Sequence, residues 1–138
     1  MHNEPRESGF TLIELLVVMI IIGILAGIAI PVYLKQRESA HRTQAVSDMR
    51  NAAEAVETYV ATDPIGRSYA DLDGATEASA VLRGEGLVTA PWTQLTIHTE
   101  GPGYCIDGTH TLLPGRTLVW RNSVGVVDVG ATGAVSCA

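Results

Sequence analysis

The sequence predicts an α+β chain: a long N-terminal α-helix, apolar in its first half and amphipathic in its second, packed against a small antiparallel β-sheet. Three observations carry that expectation. From Leu12 to Ile30 the only charged residue is Glu14. Beyond Pro31, the apolar residues Val46, Met49, Ala53, Val56 and Val60 recur at spacings of 3, 4, 3 and 4, which draws one stripe along a helix. After Gly66 the chain breaks into short alternating segments separated by Gly/Pro turns, the pattern of half-buried strands.

The apolar run is the first element to classify. A helix needs about 20 residues to cross the hydrocarbon core, and this stretch is that long. A cleaved secretory signal would carry a basic leader, a shorter apolar core and a small-x-small exit site. The leader MHNEPRESG has one Arg against two Glu, and Ile28-Ala29-Ile30-Pro31 is a poor exit. A membrane-embedded helix fits better. Thr11-Leu12-Ile13-Glu14 fits a capping box, and a carboxylate in the first turn also complements the helix dipole. Read from the residues, Glu14 is either such a cap or a group kept for a partner.

Gly23, Gly27 and Pro31 follow at intervals of four. Glycine costs about 1 kcal/mol and proline about 3 kcal/mol relative to alanine in a helix interior. The glycines alone would suit a small-xxx-small contact face. The amphipathic half carries Lys35, Arg37, Glu38, Arg42, Asp48, Arg50 and Glu57 on its other faces, and Asp63-Pro64-Ile65-Gly66 ends it. The result is one nearly continuous helix of about 50 residues.

Four organisational segments result: a leader at residues 1–9, the apolar helix at 10–34, the amphipathic stalk at 35–63, and a β-rich head at 64–138. In the head, DGATEASAVLRGEG predicts a short helix with Asp73 near its start and Gly84 to Gly86 past its end. TQLTIHT, GYCID, TLVWR and VGVVDV read as strands, divided by Gly101-Pro102-Gly103, Leu113-Pro114-Gly115 and Asn122-Ser123.

Composition limits the function classes. The 138 residues suit one domain with an attached segment. Fifteen acidic against nine basic residues give a net charge of −6 with no Lys/Arg block, so the footprint of a nucleic-acid binder is missing. Cys105 and Cys137, an even pair beyond an export-type segment, read as one disulfide. A metal or catalytic thiol pair lacks both CxxC spacing and a matching His. Asp71-Leu72-Asp73-Gly74 with Glu77 has a calcium-loop composition without the full loop, and reads as an exposed turn. His98 and His110 read as surface residues on a strand and a loop; Trp92, Trp120, Tyr104 and Tyr69 read as core. No GxSxG, HExxH or phosphate-cradling glycine loop occurs, so no catalytic residue, metal or cofactor is expected and the chain is not read as an enzyme.

The stretch GFTLIELLVVMIIIGILAGIAIP resembles the N-terminus of class III signal-peptide proteins, the type IV pilin family. The matching features are a short hydrophilic leader ending in Gly9, Phe10, the Thr11-Leu12-Ile13-Glu14 run, and an apolar helix reaching Pro31. The resemblance implies cleavage between Gly9 and Phe10 by a prepilin peptidase, N-methylation of Phe10, and a filament-assembly role for Glu14 opposite the terminal amine of a neighbouring subunit. It also implies that the Gly23–Pro31 stretch loses helix in the filament and that Cys105 and Cys137 bound a C-terminal region.

The implied partners are further copies in a helical filament, the peptidase, the pilus assembly machinery and, before assembly, the inner membrane. Nucleic acid is left open. The filament would then lie at the cell surface. Lys35, Arg37, Arg42 and Arg50 outnumber Arg6, which by the positive-inside rule alone would hold the head in the cytoplasm. The cysteine pair and the resemblance both place it outside. The function expected is a pilus subunit serving adhesion, motility or DNA uptake. A pseudopilin of a type II secretion or DNA-uptake system is the second reading, and a single-pass membrane-anchored binding module the third.

Overall fold

The computed structural model describes residues 9–122, 124–130 and 137. Seven elements follow in order: helix α1 (Leu12–Thr62), a 3-10 turn (Tyr69–Leu72), helix α2 (Ala80–Gly84), and strands β1 (Thr93–Glu100), β2 (Gly103–His110), β3 (Thr117–Arg121) and β4 (Gly125–Gly130). Two compact units divide the chain, Met1–Arg37 and Glu38–Ala138. The fold is α+β, a long N-terminal helix with a four-stranded antiparallel sheet.

α1 is helical for 51 residues and continues through Pro31. Within the second unit the sheet is a meander in the order β1-β2-β3-β4, each strand antiparallel to the next. Side chains alternate across it as strand geometry requires. Leu95 and Ile97 of β1, Tyr104 and Ile106 of β2 and Leu118 of β3 share one buried cluster with Met49, Ala53 and Val56 of α1. Cys105, Val119 and Cys137 form a separate cluster. Gly108 is a point of close fit between sheet and helix, since a Cβ there would lie 3.0 Å from Met49 Sδ and 3.2 Å from Met49 Cε.

The buried face of α1 is wider than the expected stripe. Met49, Ala53 and Val56 are buried, but so are Ala45, Ala52 and Ala55, with Val46 only partly covered. Small side chains let the sheet approach the helix backbone, and a pattern read from large apolar residues passes over them. Asp48, placed by the sequence on a solvent face, is 4% exposed. It accepts from Ala90 N at 3.1 Å, from the Thr93 hydroxyl, and from Gln44 Nε2 at 2.9 Å. A buried carboxylate is tolerable when donors surround it in this way.

The short helix also differs from expectation. It begins at Ala80 behind the N-cap Ser79, whose Oγ accepts from Leu82 N, and Gly84 is its last residue rather than a residue beyond it. Asp73 instead ends the 3-10 turn, where its Oδ1 accepts from Thr99 N at 2.9 Å. Thr76 bridges Thr96, and Glu77 Oε2 accepts from Leu95 N. Tertiary pairing with β1 outcompetes helix over residues 73–78. The connection is further tied by an Arg67–Glu85 ion pair at 2.9 Å, with the Arg67 guanidinium 4.6 Å above the Tyr59 ring.

Cys105 and Cys137 are joined by a disulfide with a Cα–Cα distance of 5.7 Å and a sequence separation of 32. In the chain-entropy account, a loop of that size contributes about 3–4 kcal/mol.

Candidate functional site

The N-terminal features stand together on the first turns of α1. Thr11 N donates to Glu14 Oε2 at 2.8 Å, Thr11 Oγ1 donates to the same oxygen at 2.8 Å, and Glu14 N donates to Thr11 Oγ1 at 3.3 Å. These reciprocal bonds are a capping box, which satisfies amides that open the helix. They occupy one carboxylate oxygen. Oε1 has no partner among the described residues.

Around that carboxylate the surface is apolar. Phe10 is 92% exposed, and every Leu, Ile, Val and Met from Leu12 through Leu34 is at least 47% exposed. Mean hydropathy reaches 3.0 over an 18-residue window of α1, long and apolar enough to cross a membrane. A contiguous apolar surface of this extent marks a membrane or protein contact rather than a solvated helix. Gly23 and Gly27 gain no explanation from the isolated subunit, since a Cβ at either would meet nothing within 4 Å.

The other sequence candidates lie in the head, in the second unit, and are engaged locally. Asp71 Oδ2 accepts from Ser68 N at 2.7 Å, so Asp71, Asp73 and Glu77 each hold a backbone amide. His98 sits on β1 with Nε2 3.5 Å from Asp107 Oδ2, and Asp107 also accepts from Cys137 N at 3.1 Å. Cys105, Asp107 and Cys137 lie close together, but the disulfide removes both sulfurs as thiolate ligands.

Tyr104 is buried, stacks 5.1 Å from Tyr69 and donates to Ala53 O at 3.3 Å. Burial first, and then the nearby Glu57 charge, push its phenol well above the ordinary tyrosine range. Trp120 is half-buried, whereas Trp92, expected in the core, is 50% exposed. His110, expected on the surface, is the last residue of β2 and is buried. The sequence gives no sign that His41, whose ring centroid lies 5.5 Å from that of His110, or Asp48 is a contact residue, because each contact comes from a distant part of the chain and helical periodicity does not carry it.

Comparison with known proteins gives this arrangement a family. Residues 5–30 match the family model described as the prokaryotic N-terminal methylation motif. The type II secretion system core protein G of Escherichia coli (strain K12) is 30% identical over 134 residues, 97% of this chain and 81% of that protein. The chain belongs to the type IV pilin family. A second pilin-family relative, the type II secretion system core protein G of Pectobacterium carotovorum subsp. carotovorum, is 33% identical over 109 residues, 79% of this chain. The chain spans 60% of the length of that relative. The type IV major pilin protein PilA of Myxococcus xanthus (strain DK1622) is 47% identical over 47 residues, 34% of this chain and 21% of that pilin. No solved structure matches the chain.

Proposed function

We propose that this pilin-family chain is a structural subunit of a type IV pilus-like filament, matured by cleavage after Gly9 and methylation of Phe10, and assembled through its N-terminal helix. The observation that carries the reading is the placement of Glu14. It is the one charge in an exposed apolar helix, one turn beyond Phe10, with one carboxylate oxygen spent on the cap and the other unpartnered among the described residues. A carboxylate in an apolar contact is costly unless a cation meets it. The amine that cleavage would free on Phe10 of a neighbouring subunit is a cation of the right reach. Pairing the two rewards one axial register among the many that a featureless apolar helix would allow. Capping and pairing are compatible because they use different oxygens.

On this proposal the chain spans the cytoplasmic membrane once before assembly and lies outside the cell afterwards. A prepilin peptidase and the assembly machinery are its partners, and the chain performs no catalysis of its own. Relatives bear the names of both a major pilin and a secretion-system core protein. The pseudopilin reading therefore fits the same maturation chemistry, and the two part company at the destination of the filament.

N-terminal sequencing and intact mass of the chain from membranes and from sheared cell-surface material test the proposal. A mature chain beginning at methylated Phe10 in the sheared fraction supports it, while mature chain confined to the cell envelope selects the pseudopilin. An uncut chain beginning at Met1 overturns both and leaves Glu14 as a helix cap.

A further inference from the structure

Two histidines from distant parts of the sequence meet in the head. His41 is half-buried on α1, and His110, 3% exposed, ends β2. Their ring centroids lie 5.5 Å apart with the planes tilted by 36°. Nε2 of each ring is buried and has no hydrogen-bond partner among the described residues. Buried polar atoms are nearly always paired, and two orphaned nitrogens on neighbouring rings form an unusual cluster.

The protonation chemistry of His110 follows from the one hydrogen bond that its ring makes among the described residues. Leu112 N donates to His110 Nδ1 at 3.2 Å. A neutral imidazole has one donor and one acceptor nitrogen, so a ring accepting at Nδ1 carries its proton on Nε2. In that tautomer Nε2 is a donor and cannot ligate a metal, which argues against a two-histidine metal site. A second proton must go to Nδ1. There it would point at the Leu112 N–H, donor against donor, and this side-chain tie at the start of the β2–β3 turn would be lost, leaving there the backbone bonds from Leu113 N to His110 O and from Thr111 N to Trp92 O.

The surroundings weigh against the charged ring. Burial is the largest influence and lowers the affinity of His110 for a proton; the His41 ring lowers it further, and Asp48 on α1 acts in the opposite sense. Glu38 of α1 and Arg116 at the end of the turn line a cavity of about 260 Å³ with Leu113 and Pro114. Across the sheet, the register partner of His110 is the uncharged Thr93.

We propose that His41 and His110 form an acid-released latch, which holds the β2–β3 turn (residues 111–116) against the second half of α1 at neutral pH and lets it go when His110 is protonated. The sign follows from linkage. His110 binds a proton less readily folded than unfolded, so its contribution is fully present above the unfolded histidine range. It is lost as pH falls from there through the lower folded value. A subunit built this way senses the acidity of the medium around the head.

Thermal unfolding and Leu112 amide protection factors, measured on the full chain in detergent micelles from about pH 7.5 to about pH 5, test the latch. In the wild type both should fall across that window. His110→Asn keeps an oxygen acceptor for the Leu112 amide without a titrating ring, and should remove roughly half or more of the acid-induced drop in Tm. His41→Gln removes the opposing ring, and should move the release of Leu112 to higher pH while preserving it. Parallel Tm–pH curves for the wild type and His110→Asn would overturn the proposal. Should His110→Asn fail to fold, an unchanged Leu112 release in His41→Gln would overturn it equally.

Discussion

Asp48 concentrates three donors on one carboxylate: the Ala90 amide, the Thr93 hydroxyl and the Gln44 amide. The first two fasten the segment entering β1 to the middle of α1, which sets where the sheet begins its contact with the helix. Truncation would leave the Ala90 and Thr93 donors facing an apolar gap, and each orphaned donor costs about 1–3 kcal/mol. Asp48→Ala is therefore expected to lower head stability by about 2–4 kcal/mol, read as a shift in denaturant midpoint at unchanged slope. Asp48→Asn retains one acceptor and should fall between that variant and the wild type. A midpoint within error of wild type for Asp48→Ala would show that these bonds contribute nothing net. Nothing local announces this role, because a lone acidic residue at a helical position reads as a solvated face until the chain 42 residues later is folded onto it.

Among the elements, the helices and strands differ in how plainly the residues declare them. α1 was legible from its apolar run, its capping box and its stripe, and the four strands from alternation between Gly/Pro turns. The start of α2 was not, because Asp73 and Glu77 have cap-like chemistry and are instead drawn to β1 amides. The width of the α1 contact was hidden for a similar reason: alanines at 45, 52 and 55 carry no strong periodic signal and become core only when a sheet descends on them. Gly108 is the counterpart on the strand, where the missing side chain admits Met49. Gly108→Val would drive two methyl groups into that sulfur and should cost about 1–3 kcal/mol by overpacking, with α1 and β2 forced apart. Adding Met49→Ala to Gly108→Val restores room, so the double variant should be more stable than the sum of its single changes predicts. Strict additivity in that cycle would mean that the two positions do not share a cavity.

For the whole molecule, the two units rest on different forces, and that separation makes the assembly hypothesis testable. The head carries its own core, a disulfide and the Asp48 ties, all within Glu38–Ala138. The first unit presents exposed apolar residues around one carboxylate, which is hydrogen-bonded to Thr11 of the same unit. Altering Glu14 should therefore leave the head untouched. Glu14→Ala removes both the cap and the proposed pairing group, whereas a second variant, Thr11→Ala, weakens the cap and keeps the carboxylate. If register selection in the filament depends on the carboxylate, both variants should insert in the membrane, be cleaved after Gly9 and show wild-type head unfolding. Only Glu14→Ala should then lose fibres from the sheared fraction. Fibres lost equally in both variants would mean that the helix start, not the charge, is what assembly reads. Normal fibres from Glu14→Ala would remove the carboxylate from assembly altogether, since an apolar helix end would then find its register through shape alone.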